Sequence, residues 1–206
     1  MISQNWPVFL ADLSQQVTSD ESFLTGINTV LLTNEQRETG WLGKPGATEA
    51  ELAHLEERLR CKLPPSYRAF LAASNGFGPI SYFIYDLSSS AEIDWLAIKD
   101  NFIVELWEED PLPNDALELS DERYLSYDNS QMEGILRPGH MRQCLMISDW
   151  GDAGFLALNP AQQYEGEWEA WHFANWHPGA ARYRSFAELM QHSYQQYKEL
   201  RAAEGG

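Results

Sequence analysis

The amino-acid pattern of this chain predicts an α+β fold. The expected form is a single, mainly antiparallel β-sheet flanked by helices, with helices before the strands and one C-terminal helix after them. Three observations predict it. Apolar residues recur at helical spacing over residues 1–17 and 49–71, and again over 186–200. Between the last two blocks the period falls to two, in short β-branched or aromatic runs bounded by Gly, Pro, Asn or Ser. Helices, then a run of strand-like segments broken only by a short helical pattern near 99–108, then a helix, is not the order of a parallel βαβ sheet.

In chain order, Trp6, Phe9, Leu10, Leu13 and Val17 form one helical stripe. Residues 20–40 stay open: FLTGINTVLL fits strand or helix, and TNEQRETG reads as a short helical turn with a stop. GWLGKPGAT is a loop punctuated by glycine and proline. Thr48-Glu49-Ala50-Glu51 is a capping box, in which hydroxyl and carboxylate satisfy each other's backbone N–H groups. Leu52, Leu55 and Leu59 then share a face, predicting a helix over 49–60. Pro64-Pro65 is expected to stop that helix and start the next, because the residue before proline leaves the α region and proline suits the first helical position. Tyr67, Phe70 and Leu71 supply the second helix's apolar face, and Asn75-Gly76 is its expected end.

The strand candidates are ISYFIYDL, EIDWLAI, RYLSY, QCLMIS, GFLALN and EWEAWHF. Residues 99–108 read as a short helix carrying Phe102, Ile103, Leu106 and Trp107. A second capping box, Ser185 to Glu188, opens a final amphipathic helix with Phe186, Leu189, Met190, Tyr194, Tyr197 and Leu200.

The 206 residues carry 31 acidic and 14 basic side chains, a formal charge of −17. Such a field repels phosphate backbones and anionic lipid, so neither nucleic acid nor membrane is an expected partner; it favours a basic protein, though acidity also simply aids solubility. Cys61 and Cys144 make no C-x-x-C pair, which fits a reducing cytosol. The N-terminus lacks the basic region of a signal peptide, and no apolar run is long enough to span a bilayer. The expectation is a soluble cytoplasmic protein.

Catalytic motifs find no support. In GWLGKPG the glycine spacing is wrong for a phosphate loop and Lys44 precedes a proline. No G-x-S-x-G elbow or H-E-x-x-H occurs. Asp149, Asp152 and His172 are the residues a metal-dependent hydrolase would use, with His177 a further ligand candidate, but nothing in their spacing requires it. No enzyme, cofactor or metal is expected.

Residues 105–122, ELWEEDPLPNDALELSDE, hold eight acids and no Lys or Arg. The run reads as a solvated face or as a docking surface for a basic partner. The residues of that surface would be Glu105, Trp107, Glu108, Glu109, Asp110, Asp115, Glu118, Asp121 and Glu122. Trp107 fits an interface anchor and core packing equally well. Asp149, Trp150 and Asp152, between two strand candidates, make a second contact candidate or a plain hairpin connection.

Taken together, residues 40–78 resemble the signature of the SUKH superfamily, which unites fungal Smi/Knr cell-wall-assembly regulators with bacterial toxin-immunity proteins. The matching features are Trp41, Gly46, Glu56 with Leu59, Leu63-Pro64, Tyr67, Phe70-Leu71 and Asn75-Gly76. CLMIS leading into DWGDAGFLALN, and the last helix opening at Ser185-Phe186, are also similar. The resemblance spans about residues 33–200 and implies a SUKH-like domain over 33–206, with residues 1–32 a helical extension packed on it. It implies a non-catalytic role, in which bacterial members bind and neutralise a cognate toxin, here a basic one such as a nuclease. The signature residues are then scaffold, with specificity on variable surfaces such as 105–122. An intracellular regulatory module of the Smi/Knr kind is the alternative.

Overall fold

The computed structural model describes residues 5–109, 120–127, 131, 136–175 and 179–204. Helix α1 (Trp6–Thr18) starts under Asn5, whose side chain accepts the Val8 N–H, and buries Trp6, Leu10, Leu13 and Val17. Residues 20–40 are helical throughout their regular parts: α2 (Glu21–Leu24), a 3-10 turn (Ile27–Leu31) and α3 (Asn34–Thr39). Local caps decide the ambiguity. Asp20 accepts from Ser22 N–H, and Thr33 with Gln36 forms a capping box.

Helix α4 (Glu49–Leu59) carries the expected Thr48–Glu51 box. Its end differs from expectation. Arg60, in the left-handed region at φ 56°, closes the helix, and Cys61 and Lys62 follow before Pro64 is reached. Pro64 caps and Pro65 opens α5 (Pro65–Ala73), so the prolines start one helix without stopping the other. Helix α5 also ends early: Ser74 is extended, and Gly76, at φ 104°, turns the chain only afterwards.

Among the described residues five strands form one antiparallel sheet in the order β1 to β5: β1 (Asp94–Trp95), β2 (Leu145–Met146), β3 (Gly154–Tyr164), β4 (Glu167–Ala174) and β5 (Ala180–Tyr183). QCLMIS, GFLALN and EWEAWHF therefore supply β2 to β4, while β5, the alanine-rich AARY, lacks a strand composition.

Two other strand candidates are corrected. ISYFIYDL makes only isolated bridges at its last residue, Leu87, to Phe77 and to Ser148. The Ser81 hydroxyl accepts the N–H groups of Phe83 and Ile84, each at 3.1 Å, and Ile80 N–H bonds Ile84 C=O, so the run folds into a turn while still burying Ile80, Ile84 and Leu87. RYLSY contributes to a helix, α8 (Asp121–Tyr124), started by Ser120, whose hydroxyl accepts the Arg123 N–H. EIDWLAI gives only β1 before turning into α6 (Leu96–Lys99); α7 (Asn101–Glu109) follows, in line with the expected helix. A turn of helix, α9 (Pro138–Met141), precedes β2, and α10 (Phe186–Glu204) closes the chain.

Side chains alternate across β3, so its near-continuous apolar run serves two cores. Leu156 and Leu158 join the larger one, with α1, α4, α5 and α10. Phe155 and Ala157 join a smaller one on the opposite face, with Leu96, Ile103, Val104, Met141, Trp171 and Phe173. Trp6 meets Phe70 at 5.5 Å and Phe186 at 5.4 Å between ring centres, so α1 lies in the main core.

Candidate interaction surface

The smaller core carries the candidate surface on its outer side. Helix α7 buries Ile103 and Val104, and Asp100 organises its start. One Asp100 oxygen accepts the Ile103 N–H at 3.2 Å, and the other accepts the Trp150 indole N–H at 2.9 Å. That single carboxylate therefore joins the helix to the loop between β2 and β3. The Trp150 ring sits edge-on to Phe155 at 4.8 Å and to Phe173 at 6.2 Å, while Trp107 meets Phe173 at 5.7 Å. Two tryptophans from separate acidic segments thus share one phenylalanine. Trp107 is half-buried and packs against the smaller core, the second of its two expected roles.

The loop's position is fixed by backbone. A Cβ on Gly151 would lie 1.9 Å from Phe83 O, so only glycine permits this approach, and Asp152 N–H bonds the same oxygen at 2.9 Å. Lys99 reaches Asp149 at 3.1 Å, and Arg142 grips both oxygens of Glu108, the shorter contact being 2.6 Å. Glu105, Glu109, Asp149 and Asp152 are exposed. The negative field extends to half-buried Asp86: burial pushes its carboxyl pKa up, Lys44 opposes this, and the charges of Glu92 and Asp149 add to it.

Asp121 and Glu122 stand exposed on α8, with Asp121 paired to Arg137. Asp110, Asp115 and Glu118 lie outside the described residues, as does His177. The surface also has an apolar component absent from the expected site: Ile98 is 69% exposed, Phe102 73% and Leu106 47%, with Trp150 itself 37% exposed. The spacing of four between Phe102 and Leu106 is the available signal, since α7 carries more apolar positions than one buried face can use.

A second feature has no counterpart among the residues the sequence singles out. Glu169 on β4 is buried and accepts hydrogen bonds from Tyr124 and Tyr127 (2.9 Å each), Asn159 (2.8 Å) and Trp171 (2.7 Å), and it pairs with buried Arg182 on β5 at 3.2 Å. The Arg182 guanidinium lies 4.0 Å from the Tyr124 ring centre. Burial, reinforced by the Glu169 charge, pushes both tyrosine hydroxyls far up, so they remain donors. This network clamps α8 onto the sheet. A glutamate inside the aromatic run EWEAWHF was its only trace in the sequence.

The signature residues hold the α4–α5 corner together. Buried Glu56 accepts from Lys62 at 2.6 Å and from the Leu63 N–H at 3.2 Å. Burial alone would raise its carboxyl pKa, but these bonds and the nearby Arg68 outweigh it and hold the group charged. Gly46 lets its strand of loop lie against α5: a Cβ there would meet Ala72 O at 2.0 Å, and Ala47 N–H bonds Leu71 C=O. Asn75 accepts the Ser90 N–H at 2.7 Å, Trp41 packs edge-on to Phe77, and Leu63, Tyr67 and Leu71 are buried; Pro64 starts α5 and Gly76 turns the chain after it.

The hydrolase candidates do not converge in this way. His172 is buried within β4, and Asp149 is engaged by Lys99 in an exposed loop. Among the described residues no group of three or more His, Cys, Asp and Glu side chains is placed to hold a metal, and no described helix is long and apolar enough to cross a membrane.

Residues 46–192 match the family model described as SMI1 / KNR4 family (SUKH-1). A search of the curated proteins finds none that matches the chain. The matched segment takes in the α4–α5 corner, the whole sheet and the first turns of α10, well over half of the sequence. The chain belongs to the SMI1/KNR4 (SUKH-1) family.

Proposed function

We propose that this chain is a non-catalytic protein-binding module of the cytoplasm, a bacterial immunity protein that binds and neutralises a basic toxin. The observation that carries the reading is the acidic face around Trp107 and Trp150, borne by a chain of charge −17. Family membership is consistent with it, as it is with a regulatory Smi/Knr-type module. The buried ionisable groups support a binding role over a catalytic one. Glu56 and Glu169 are occupied by structural bonds, and the Cys144 thiol, fully buried, has its pKa pushed up by burial and by the Glu169 charge, away from nucleophilic use. Free Cys61 and Cys144 fit a reducing compartment. The mechanism is steric: opposite charge accelerates encounter, and the bound module covers the toxin's working surface.

The test is co-expression of the chain with each protein encoded beside its gene. The expected result is one neighbour that is toxic alone, harmless with this chain, and co-purified with it one to one. Co-purification of a non-toxic kinase or envelope enzyme instead would replace the immunity reading with the regulatory one.

A further inference from the structure

Helix α7 has two apolar sides, and among the described residues only one of them packs against the fold. Ile103, Val104 and Trp107 point to the smaller core. Phe102 and Leu106, four residues apart, form a ridge on the other side of α7 and are exposed, as are Ile98 of α6 and part of Trp150, whose indole N–H bonds Asp100 just before α7. The exposure is not a packing shortfall, because the inward positions are already filled by apolar residues. The ridge is also rimmed by acid. Lys99 and Arg142 are committed to Asp149 and Glu108, while Glu105, Glu109 and Asp152 add further negative charge.

Resting on the protein-binding reading above, we infer that the ridge Phe102–Leu106 of α7, with exposed Ile98 before it and Trp150 held to Asp100 at the helix start, is the docking face. Its occupant is a partner's amphipathic segment that presents apolar side chains flanked by lysine or arginine. Apolar anchors would bury against Phe102 and Leu106, and the flanking cations would meet the acidic rim, the usual division between an interface core and its polar border. A second copy of the chain is disfavoured as occupant, since it brings another −17 charge and the same acidic rim. The cationic rim contacts also predict an association that weakens with salt.

The experiment titrates the full-length, isotope-labelled chain with a synthetic amphipathic peptide of roughly five helical turns, bearing a leucine stripe between lysines. A control peptide carries glutamates in place of the lysines. The inference expects the lysine peptide to shift the backbone signals of residues 98–106 and the indole signals of Trp107 and Trp150, and the glutamate peptide to leave them alone. Phe102→Glu and Leu106→Glu should each weaken binding by about tenfold or more. Val30→Glu, at an apolar position 83% exposed elsewhere, should leave it unchanged. All three variants should keep the wild-type unfolding midpoint. Perturbations centred elsewhere, or equal binding of both peptides, would overturn the inference. So would a wild-type dimer that Phe102→Glu converts to monomer, which would make the occupant a second copy. A toxin neutralised equally by wild type and Phe102→Glu would leave the immunity reading standing and overturn this surface. Peptide binding at the ridge with no neighbouring gene product neutralised would support the surface and sink that reading.

Discussion

Phe70 and Phe102 sit in helices of equal length, nine residues each, and meet opposite fates. Phe70 is fully buried between Trp6 and Phe186, whereas Phe102 is 73% exposed. Helix α5 turns Tyr67, Phe70 and Leu71 toward a single core, and its surroundings turn charge inward as well, with Glu56 tying α4 to the corner. Helix α7 splits its apolar residues between a core and the solvent, and its acids ring the solvent side. The contrast separates scaffold from surface: in the first region side chains are consumed by the fold, and in the second Phe102 and Leu106 are left exposed.

The comparison breaks most visibly in stability. Phe70→Ala should cost about 3–5 kcal/mol, as expected for deleting a buried ring, while Phe102→Ala should change stability by no more than about 0.5 kcal/mol. Urea denaturation of the two variants beside wild type measures both, and equal losses would abolish the distinction. The Glu169 clamp comes next. Glu169→Ala leaves Arg182 buried without its carboxylate and should cost about 3 kcal/mol or slightly more. It should also speed amide exchange across residues 120–127, because Tyr124 and Tyr127 lose their acceptor. Loss of stability without that local change would mean the pair supports the sheet alone.

Thr48→Ala removes one half of the capping box and should cost about 1 kcal/mol on thermal or urea unfolding. Asp86→Asn should do the reverse and stabilise. Its carboxyl pKa is raised on folding, chiefly by burial, so the charged form is disfavoured in the native state. That penalty is absent below the ordinary value of 3.8, grows as pH rises through the raised pKa, and is present in full above it. The Asn variant should therefore gain on wild type at neutral pH and lose the gain in acid. A gain unchanged from acid to neutral pH would point to packing instead of charge.

What was legible in the sequence was local. The Thr48–Glu51 box, the proline start of α5 and the apolar stripes depend on neighbours within a turn or two, and each stands in the structure where its spacing put it. The misread segments lack that locality. In ISYFIYDL one hydroxyl, Ser81, diverts two backbone amides from any sheet. In RYLSY the aromatic pattern suggested a strand, but Tyr124 is aromatic because it must reach Glu169, 45 residues away, from a helix. The same limit applies to the surface. Trp107 and Trp150 each stood out beside acids, yet their meeting on Phe173 depends on how β4 pairs with β3 and how α7 crosses them. The ridge itself is half visible: the spacing puts Phe102 and Leu106 on the helix, and the packing of α7 shows that they face outward.

The most direct test is a single variant measured twice. For Phe102→Glu the account predicts an unfolding midpoint equal to that of wild type, together with affinity for the lysine-flanked leucine peptide reduced by about tenfold or more. A lowered midpoint would place Phe102 in the fold after all, and undiminished affinity would move the docking face elsewhere; either result would contradict the division between scaffold and surface.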